Sequence, residues 1–200
     1  MRTKQQVVAE FRCSEILDAA RKVFSKRSFR DVTVDDIAGA AGIAKATVYQ
    51  YFPSKQEIYM AALRQGAAEL IERTGRHMQA AQGIRGKLEA FVRVRLDYME
   101  EHREFFALYH AEFGNLMHPA GFNRELRNLY RKQLEFLESV LRDAVNDGEI
   151  SPVAVDTLAT TLYEATRGLM LRRMLGWSDT SVAKDVAALV EILWRGIGTK

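Results

Sequence analysis

Apolar positions recur along nearly the whole chain at spacings of three and four, the period of a helix with one buried face. Ile16, Ala19, Ala20, Val23 and Phe24 form the first such stripe. Ile37, Ala38 and Ala41 mark a short second helix, and Val48 with Phe52 a short third. A long helix is predicted from about Gln56 to Ala80, with Gly83 and Gly86 breaking the chain after it. Leu88, Phe91, Val92, Leu96 and Met99 mark the next, followed by an aromatic-rich stretch from Glu104 to Phe113 and a loop from Gly114 to Gly121 around Pro119. Phe122, Leu126, Leu129, Tyr130, Leu137, Val140, Leu141 and Ala144 predict a long amphipathic helix, stopped by Asn146-Asp147-Gly148. Ser151-Pro152 predicts the start of another, with Ser as cap and Pro at the first helical position. A break near Gly176 to Asp179 precedes a last helix carrying Val186, Leu189, Val190, Leu193, Trp194 and Ile197. No strand pattern follows Lys55.

The stretch from Thr33 to Lys55, TVDDIAGAAGIAKATVYQYFPSK, carries the most information. Thr33 and Asp36 have the spacing of a capping box, in which each side chain satisfies the other's free backbone N–H. Gly42 supplies a residue that closes a helix in the left-handed conformation at no steric cost. Ile43 plugs the turn, and Val48 and Phe52 anchor the second helix of the pair from inside. Lys45, Ala46, Thr47, Tyr49, Gln50 and Tyr51 are left nearer the outside. Two short helices joined by a glycine turn are the plan of a helix-turn-helix, which places its second helix in the major groove of DNA. Lysine donates to phosphate or guanine, threonine meets a thymine methyl, and glutamine bonds adenine through both amide groups. Tyrosine hydroxyls suit phosphate oxygens. Pro53 stops the helix, and Ser54-Lys55-Gln56-Glu57 opens the next with a second capping box. A lysine in that first turn opposes the helix dipole and makes sense if a phosphate sits there.

The pattern Thr33-Val34-Asp35-Asp36-Ile37-Ala38-x-x-Ala41-Gly42-Ile43-x-x-x-Thr47-Val48-Tyr49-x-Tyr51-Phe52-x-Ser54-Lys55-x-x-Ile58 closely resembles the DNA-binding segment of TetR-family transcription regulators. Ile16-Leu17-Asp18-Ala19-Ala20-x-x-Val23-Phe24 looks like that family's first helix, and Phe29-x-x-Val32-Thr33 like its entry to the second. The match covers roughly the first third of the chain. The resemblance implies an all-α homodimer, with an N-terminal three-helix helix-turn-helix domain (residues 1–55) and a C-terminal helical ligand-binding and dimerisation domain (residues 56–200). It implies phosphate contacts at Thr33, Tyr49, Tyr51 and Lys55, and base-reading positions at Ala44, Lys45, Thr47 and Gln50. Ala44 departs from the pattern, being apolar where many members are polar, and offers methyl packing alone. A repressor released from a palindromic operator by a small effector is the implied function; multidrug-efflux control and lipid or aromatic catabolism are both open.

Charge supports the DNA reading. Residues 1 to 55 hold ten Lys and Arg against six Asp and Glu, a balance of +4, whereas residues 56 to 200 hold 19 against 20, a balance of −1. The positive field therefore lies where a phosphate backbone would be met. Arg2 and Lys4 are expected to form a mobile arm. No apolar run approaches the roughly 20 residues that span a bilayer, and the N-terminus has no apolar signal core. One cysteine, Cys13, allows no internal disulfide, so the cytoplasm is the expected compartment and no membrane association is expected.

For the effector, Phe106, Tyr109, His110 and Phe113 gather aromatic and polar groups on one short helix, with Tyr98, Tyr163, Arg167 and Met170 as possible facing residues. Pockets between helices are mostly apolar with a few placed polar groups. This favours an apolar or aromatic molecule, with Arg167 able to pair an acid group. The last two helices are apolar in several directions, and a helix with two apolar faces needs two partners. Leu162, Leu169, Val186, Leu189, Val190, Leu193 and Trp194 are the candidate dimer interface, with close backbone approach expected at Gly168; the alternative is that they belong to the protomer's own core. Enzyme motifs are missing: the chain has no GxSxG, no HExxH and no Gly-rich phosphate loop. His102, His110, Glu112 and His118 fit no metal-ligand spacing, so no metal and no cofactor are expected.

Overall fold

In the computed structural model residues 3–113 and 121–198 are described, apart from the side chains of 111–113, 121–123, 125 and 126. The expected loop around Pro119 and the side chain of Phe113 lie outside the described residues. The helices are α1 (Lys4–Phe24), α2 (Val34–Ala41), α3 (Lys45–Tyr51), α4 (Lys55–Ala80), α5 (Gly83–Glu101), α6 (Arg103–Phe113), α7 (Gly121–Asn146), α8 (Val155–Met174) and α9 (Val182–Ile197). The fold is all-α, and the one pairing of extended backbone among the described residues is an isolated bridge between Ile150 and Gly198.

The first helix starts earlier than the apolar stripe suggests. Thr3 caps it: its hydroxyl accepts from the Gln6 N–H at 3.2 Å and the Gln6 side chain accepts from the Thr3 N–H at 2.8 Å. Lys4 is therefore the first residue of α1 and not part of a mobile arm. The predicted start of α8 is also corrected. Its N-cap is Ala154, without a side-chain cap, and Ser151 and Pro152 precede the helix. The Ser151 N–H instead donates to the Ile197 carbonyl at 2.8 Å, so the segment before α8 is drawn out along the end of α9.

The chain packs as two compact units, one of Met1–Ala67 with His102–Asn115 and one of Ala68–Glu101 with Leu116–Lys200. A sequence boundary at residue 55 marks the cap of α4, but that helix continues for 26 residues, and its first half packs with the N-terminal helices. In the first unit Ile16, Ala20, Val32, Ile37, Val48, Ile58 and Leu63 are fully buried. The Tyr59 ring meets Phe24 edge-on at 4.8 Å and Phe29 at 5.0 Å between centroids. α6 joins this unit through Phe105, whose ring lies so close to Gly66 on α4 that an added Cβ would stand 2.4 Å from it. In the second unit α5 packs against α8 and α9, and α7 against α8. Arg173 ties the α8–α9 turn to α5: it donates to Asp185 at 2.8 Å, to the Thr180 carbonyl at 2.8 Å and to Glu100 at 2.8 Å. Burial works against the Asp185 charge, but the Thr180 hydroxyl and the Arg173 guanidinium outweigh it and hold its carboxyl below the usual value.

Two outcomes follow for stability. Gly66→Ala forces Phe105 from its seat and should cost about 1–3 kcal/mol in urea unfolding. Asp185→Asn removes the anion from a largely buried pair and should cost about 3 kcal/mol. Because the folded pKa of Asp185 is depressed, its contribution is present above the ordinary 3.8 and lost as pH falls toward the folded value. A pH series of unfolding midpoints should show a steeper acid loss in wild type than in Asp185→Asn.

Candidate nucleic-acid interface

A reciprocal cap sets the entry to α2. The Thr33 hydroxyl accepts from the Asp36 N–H at 3.1 Å, and the Asp36 carboxylate accepts from both the Thr33 N–H and its O–H at 2.7 Å. Arg27 adds an ion pair to Asp36 at 3.0 Å. The Thr33 hydroxyl and N–H, helped by Arg27, bring the Asp36 carboxyl down to about 2. α2 ends at Gly42, with φ 68° and ψ 28°, and the Ile43 N–H reaches back to the Ala38 carbonyl at 3.0 Å. This left-handed residue turns the chain straight into α3.

α3 has seven residues and is held from inside by Val48, fully buried, and by Phe52 just beyond its end. Lys45, Ala46, Tyr49 and Gln50 are exposed, Tyr49 by 47%, while Thr47 and Tyr51 are half-buried. The predicted outer face of the second helix is therefore the face the fold presents. Lys45 is paired across the turn with Asp35 at 2.6 Å, and that hydrogen bond raises its pKa. Both groups are well exposed, so the pair is weak and the ammonium is easily handed to a phosphate or a base. Ala44 is the N-cap of α3 and makes no side-chain cap bond.

Two residues expected at phosphates already have partners within the chain. The Thr33 O–H is used by Asp36 in the cap. Lys55 donates to the carbonyls of Phe29 at 2.6 Å, Val32 at 2.7 Å and Arg30 at 3.4 Å, and its ammonium lies 4.5 Å from the centre of the Phe29 ring. Three carbonyls left over in the α1–α2 connection need a donor, and a lysine at the start of α4 supplies it. Lys55 thus clamps the segment that leads into α2, a role with no signature in the helix pattern. Ser54 does cap α4, accepting from the Glu57 N–H at 3.1 Å.

The effector candidates divide between the units. Phe106, Tyr109 and His110 lie on α6 in the first, with Phe106 and Tyr109 buried and their rings 6.5 Å apart. Tyr98, Tyr163, Arg167 and Met170 lie in the second. There Tyr98 donates to Glu69 at 2.9 Å, and Tyr163 packs edge-on to Tyr130 at 5.1 Å. Met170 is buried, and Arg167 is already engaged by Glu164 at 2.7 Å, which also accepts from the Tyr130 hydroxyl at 2.9 Å. The cation proposed to pair an acid group therefore has a carboxylate partner of its own. Sequence reasoning passed over Arg95, which α5 places inside the apolar stripe with Phe91, Val92 and Met99 and which is buried. A charged residue at an apolar position of the repeat was the available signal.

The dimer candidates are corrected in part. Leu162, Val186 and Val190 are buried within the protomer, because the inner stripes of α8 and α9 close the second unit's own core against α5. Leu169, Leu189, Leu193 and Trp194 are half-buried, and Arg85 stands 5.5 Å from the Trp194 ring. Leu171, Leu175, Trp177 and Ile192 are exposed, the last two by 73% and 70%. An added Cβ at Gly168 or Gly196 would meet nothing within 4 Å.

Lys55→Met should lower stability by about 1–3 kcal/mol by stranding the carbonyls of the α1–α2 connection. A lysine that served phosphates alone would leave urea unfolding unchanged and reduce the salt slope of DNA binding by about one. The Asp36 contribution should be present above pH 3.8 and lost as pH falls through about 2, and Asp36→Asn should remove that part of the acid dependence.

Comparison with known proteins places these features in a family. Residues 16–62 match the model of bacterial regulatory proteins of the tetR family, and residues 84–195 match the C-terminal domain of BetI-type transcriptional repressors. The HTH-type transcriptional repressor KstR2 of Rhodococcus jostii is 31% identical over 139 residues, 68% of this chain and 67% of that protein. The HTH-type transcriptional activator FasR of Mycolicibacterium smegmatis is 31% identical over 97 residues, but the chain spans only 44% of its length and 48% of its own. Among solved structures, the transcriptional regulator FadR from Bacillus subtilis in complex with stearoyl-CoA aligns with a TM-score of 0.80 at 17% identity, over 90% of this chain and 96% of that one. Among the described residues no group of three or more His, Cys, Asp or Glu is placed to hold a metal, and no helix is long and apolar enough to cross a membrane. With a short exposed helix presented by a capped two-helix turn and a second helical unit behind it in sequence, the chain belongs to the TetR family of ligand-responsive DNA-binding transcription regulators.

Proposed function

We propose that the protein is a repressor that binds a palindromic operator as a homodimer and is released by a small apolar or aromatic effector. The observation that carries this reading is the outer face of α3, where Lys45, Tyr49 and Gln50 stand exposed on a helix locked from within by Val48. In this reading Lys45, Thr47 and Gln50 read bases, Tyr49 and Tyr51 fix the register on phosphates, and Ala44 packs on a thymine methyl. Repression is favoured by the match of residues 84–195 to the BetI-type repressor C-terminal domain and by the likeness to the repressor KstR2 over 68% of the chain, against 48% for the activator FasR.

Palindromic sites require a two-fold partner. The face proposed for it is the outer stripe of α8 and α9: Gly168 and Leu171 on α8 and Leu175 at its C-cap recur at three and four, and Leu189, Ile192 and Gly196 do so on α9. Open space above both glycines supports close approach of a second chain. An effector then acts only through a difference in affinity between the DNA-bound and released states.

Selection of bound DNA from a random pool at fixed salt should return a palindrome; weak, salt-sensitive binding without enrichment would overturn the reading. On that site Tyr49→Phe should weaken binding to all sequences alike, by about 2–10-fold for one lost hydrogen bond. Thr47→Ala should instead shift the preferred base at one position of each half-site. Ile192→Asp should yield monomers in sedimentation and lose operator binding; a dimer that survives it lies on another face.

A further inference from the structure

Arg95 is 3% exposed on α5. Its Nη1 donates to the Gln133 side-chain oxygen on α7 at 3.0 Å, and Gln133, itself buried, turns its amide toward the Leu129 carbonyl at 3.4 Å. The guanidinium carbon lies 4.4 Å from the centre of the Tyr163 ring on α8 and 5.2 Å from that of Phe91. Nε is buried and has no hydrogen-bond partner among the described residues. Elsewhere in this unit Arg73, Arg76, Arg85, Arg167, Arg173 and Arg195 each meet a carboxylate. Arg95, among the described residues, meets none.

A guanidinium stays charged under all ordinary conditions, so burial cannot relieve it by deprotonation. Two ring faces and one amide oxygen lower its energy but do not neutralise it. The α8 carboxylate next to Tyr163, Glu164, is held by Arg167 and Tyr130. We propose that Arg95 is the anion-recognition group of the effector site, and that the effector is an apolar organic acid whose carboxylate pairs with Arg95. The side edge of a guanidinium takes a carboxylate in two parallel bonds, and Nε belongs to that edge. Gln133 holds Nη1 and so fixes the plane of the fork, while Phe91 and Tyr163 lie against the guanidinium and keep its surroundings apolar. This rests on the reading that the second unit carries the effector site, and it replaces Arg167 with Arg95 as the cation for the acid.

The test uses the full-length protein and two matched pairs of probes, dodecanoate with dodecanol and 4-phenylbutyrate with 4-phenylbutanol, followed by calorimetry and by release from the selected operator. Wild type should bind at least one acid about tenfold or more tightly than its alcohol, the size of a charge-assisted hydrogen bond. Arg95→Gln should bring the affinity for that acid down to the level of the alcohol. Equal binding of acid and alcohol, no binding of either acid, or an acid preference that survives Arg95→Gln overturns the proposal. Release of operator by the alcohols as well as by the acids keeps the regulator reading while removing Arg95. Acid binding through Arg95 without release does the reverse. A second measurement guards against a purely structural arginine: the double variant Arg95→Met, Gln133→Leu, which removes both polar partners, should melt at the same temperature as wild type or higher in the ligand-free state. A fall of more than about 5 °C marks Arg95 as structural and overturns the proposal.

Discussion

A helix of seven residues has no stability of its own, and α3, the helix we propose reads DNA, is such a helix. Everything around α3 serves to hold it. Val48 is driven fully into the core, Phe52 closes the far end, and Gly42 fixes the angle at which α2 hands over the chain. α2 is itself eight residues long and depends on the Thr33–Asp36 cap at one end and Gly42 at the other. One level further out, Lys55 pins the connection before α2 by its carbonyls, and the Phe24, Phe29 and Tyr59 rings fill the space beneath it. Side chains reading DNA must be placed to within a fraction of a hydrogen-bond length, so rigid support for a short helix takes precedence over the helix's own propensity.

The division between what could be read from the residues and what could not follows the range of the interactions. Local rules recovered the N-terminal third: the Thr33 cap, the Gly42 turn, the inward Val48 and the exposed Lys45 and Tyr49 all depend on neighbours within a few positions. Helix order in the rest was also legible, because a buried stripe repeats at three and four wherever the helix goes. Failures arose where a distant segment claimed a local group. Ser151 looked like a cap, yet its amide is taken by Ile197, 46 positions on by simple numbering. Lys55, whose phosphate contact remains an expectation, also holds carbonyls more than 20 residues earlier, a link that no local rule shows. Leu162, Val186 and Val190 looked free for a partner because two apolar faces on one helix do not reveal which one the protomer uses.

Charged groups in the two units work under opposite constraints. Around α3 they are exposed and loosely held: the Lys45–Asp35 pair is in water, where it contributes little and exchanges readily for a phosphate. The second unit instead withdraws charges from water and then satisfies them. Arg173 and Asp185 do so where three helices, α5, α8 and α9, meet at the α8–α9 turn, and Glu164 does so between Tyr130 and Arg167. A partly buried pair of this kind adds less to net stability than it does to uniqueness of arrangement, since breaking it leaves a stranded charge. The α8–α9 turn and the α7–α8 contact are thereby fixed in register.

Arg95 is the exception within that scheme, and the proposed effector contact rests on it. α5 keeps its apolar repeat through Phe91, Val92, Leu96 and Met99 and interrupts it with the one side chain that cannot shed its charge. Leucine or methionine there would fit the repeat and avoid the desolvation of a cation altogether. Gln133 on α7 occupies a buried position as well, and its oxygen faces the guanidinium, so two helices each give up an apolar site for the same contact. A core that needed only to be stable would have no use for this arrangement. On the proposal that an anionic effector pairs with Arg95, the unneutralised buried cation would give that anion a higher affinity for whichever arrangement of α5, α7 and α8 brings the two into contact.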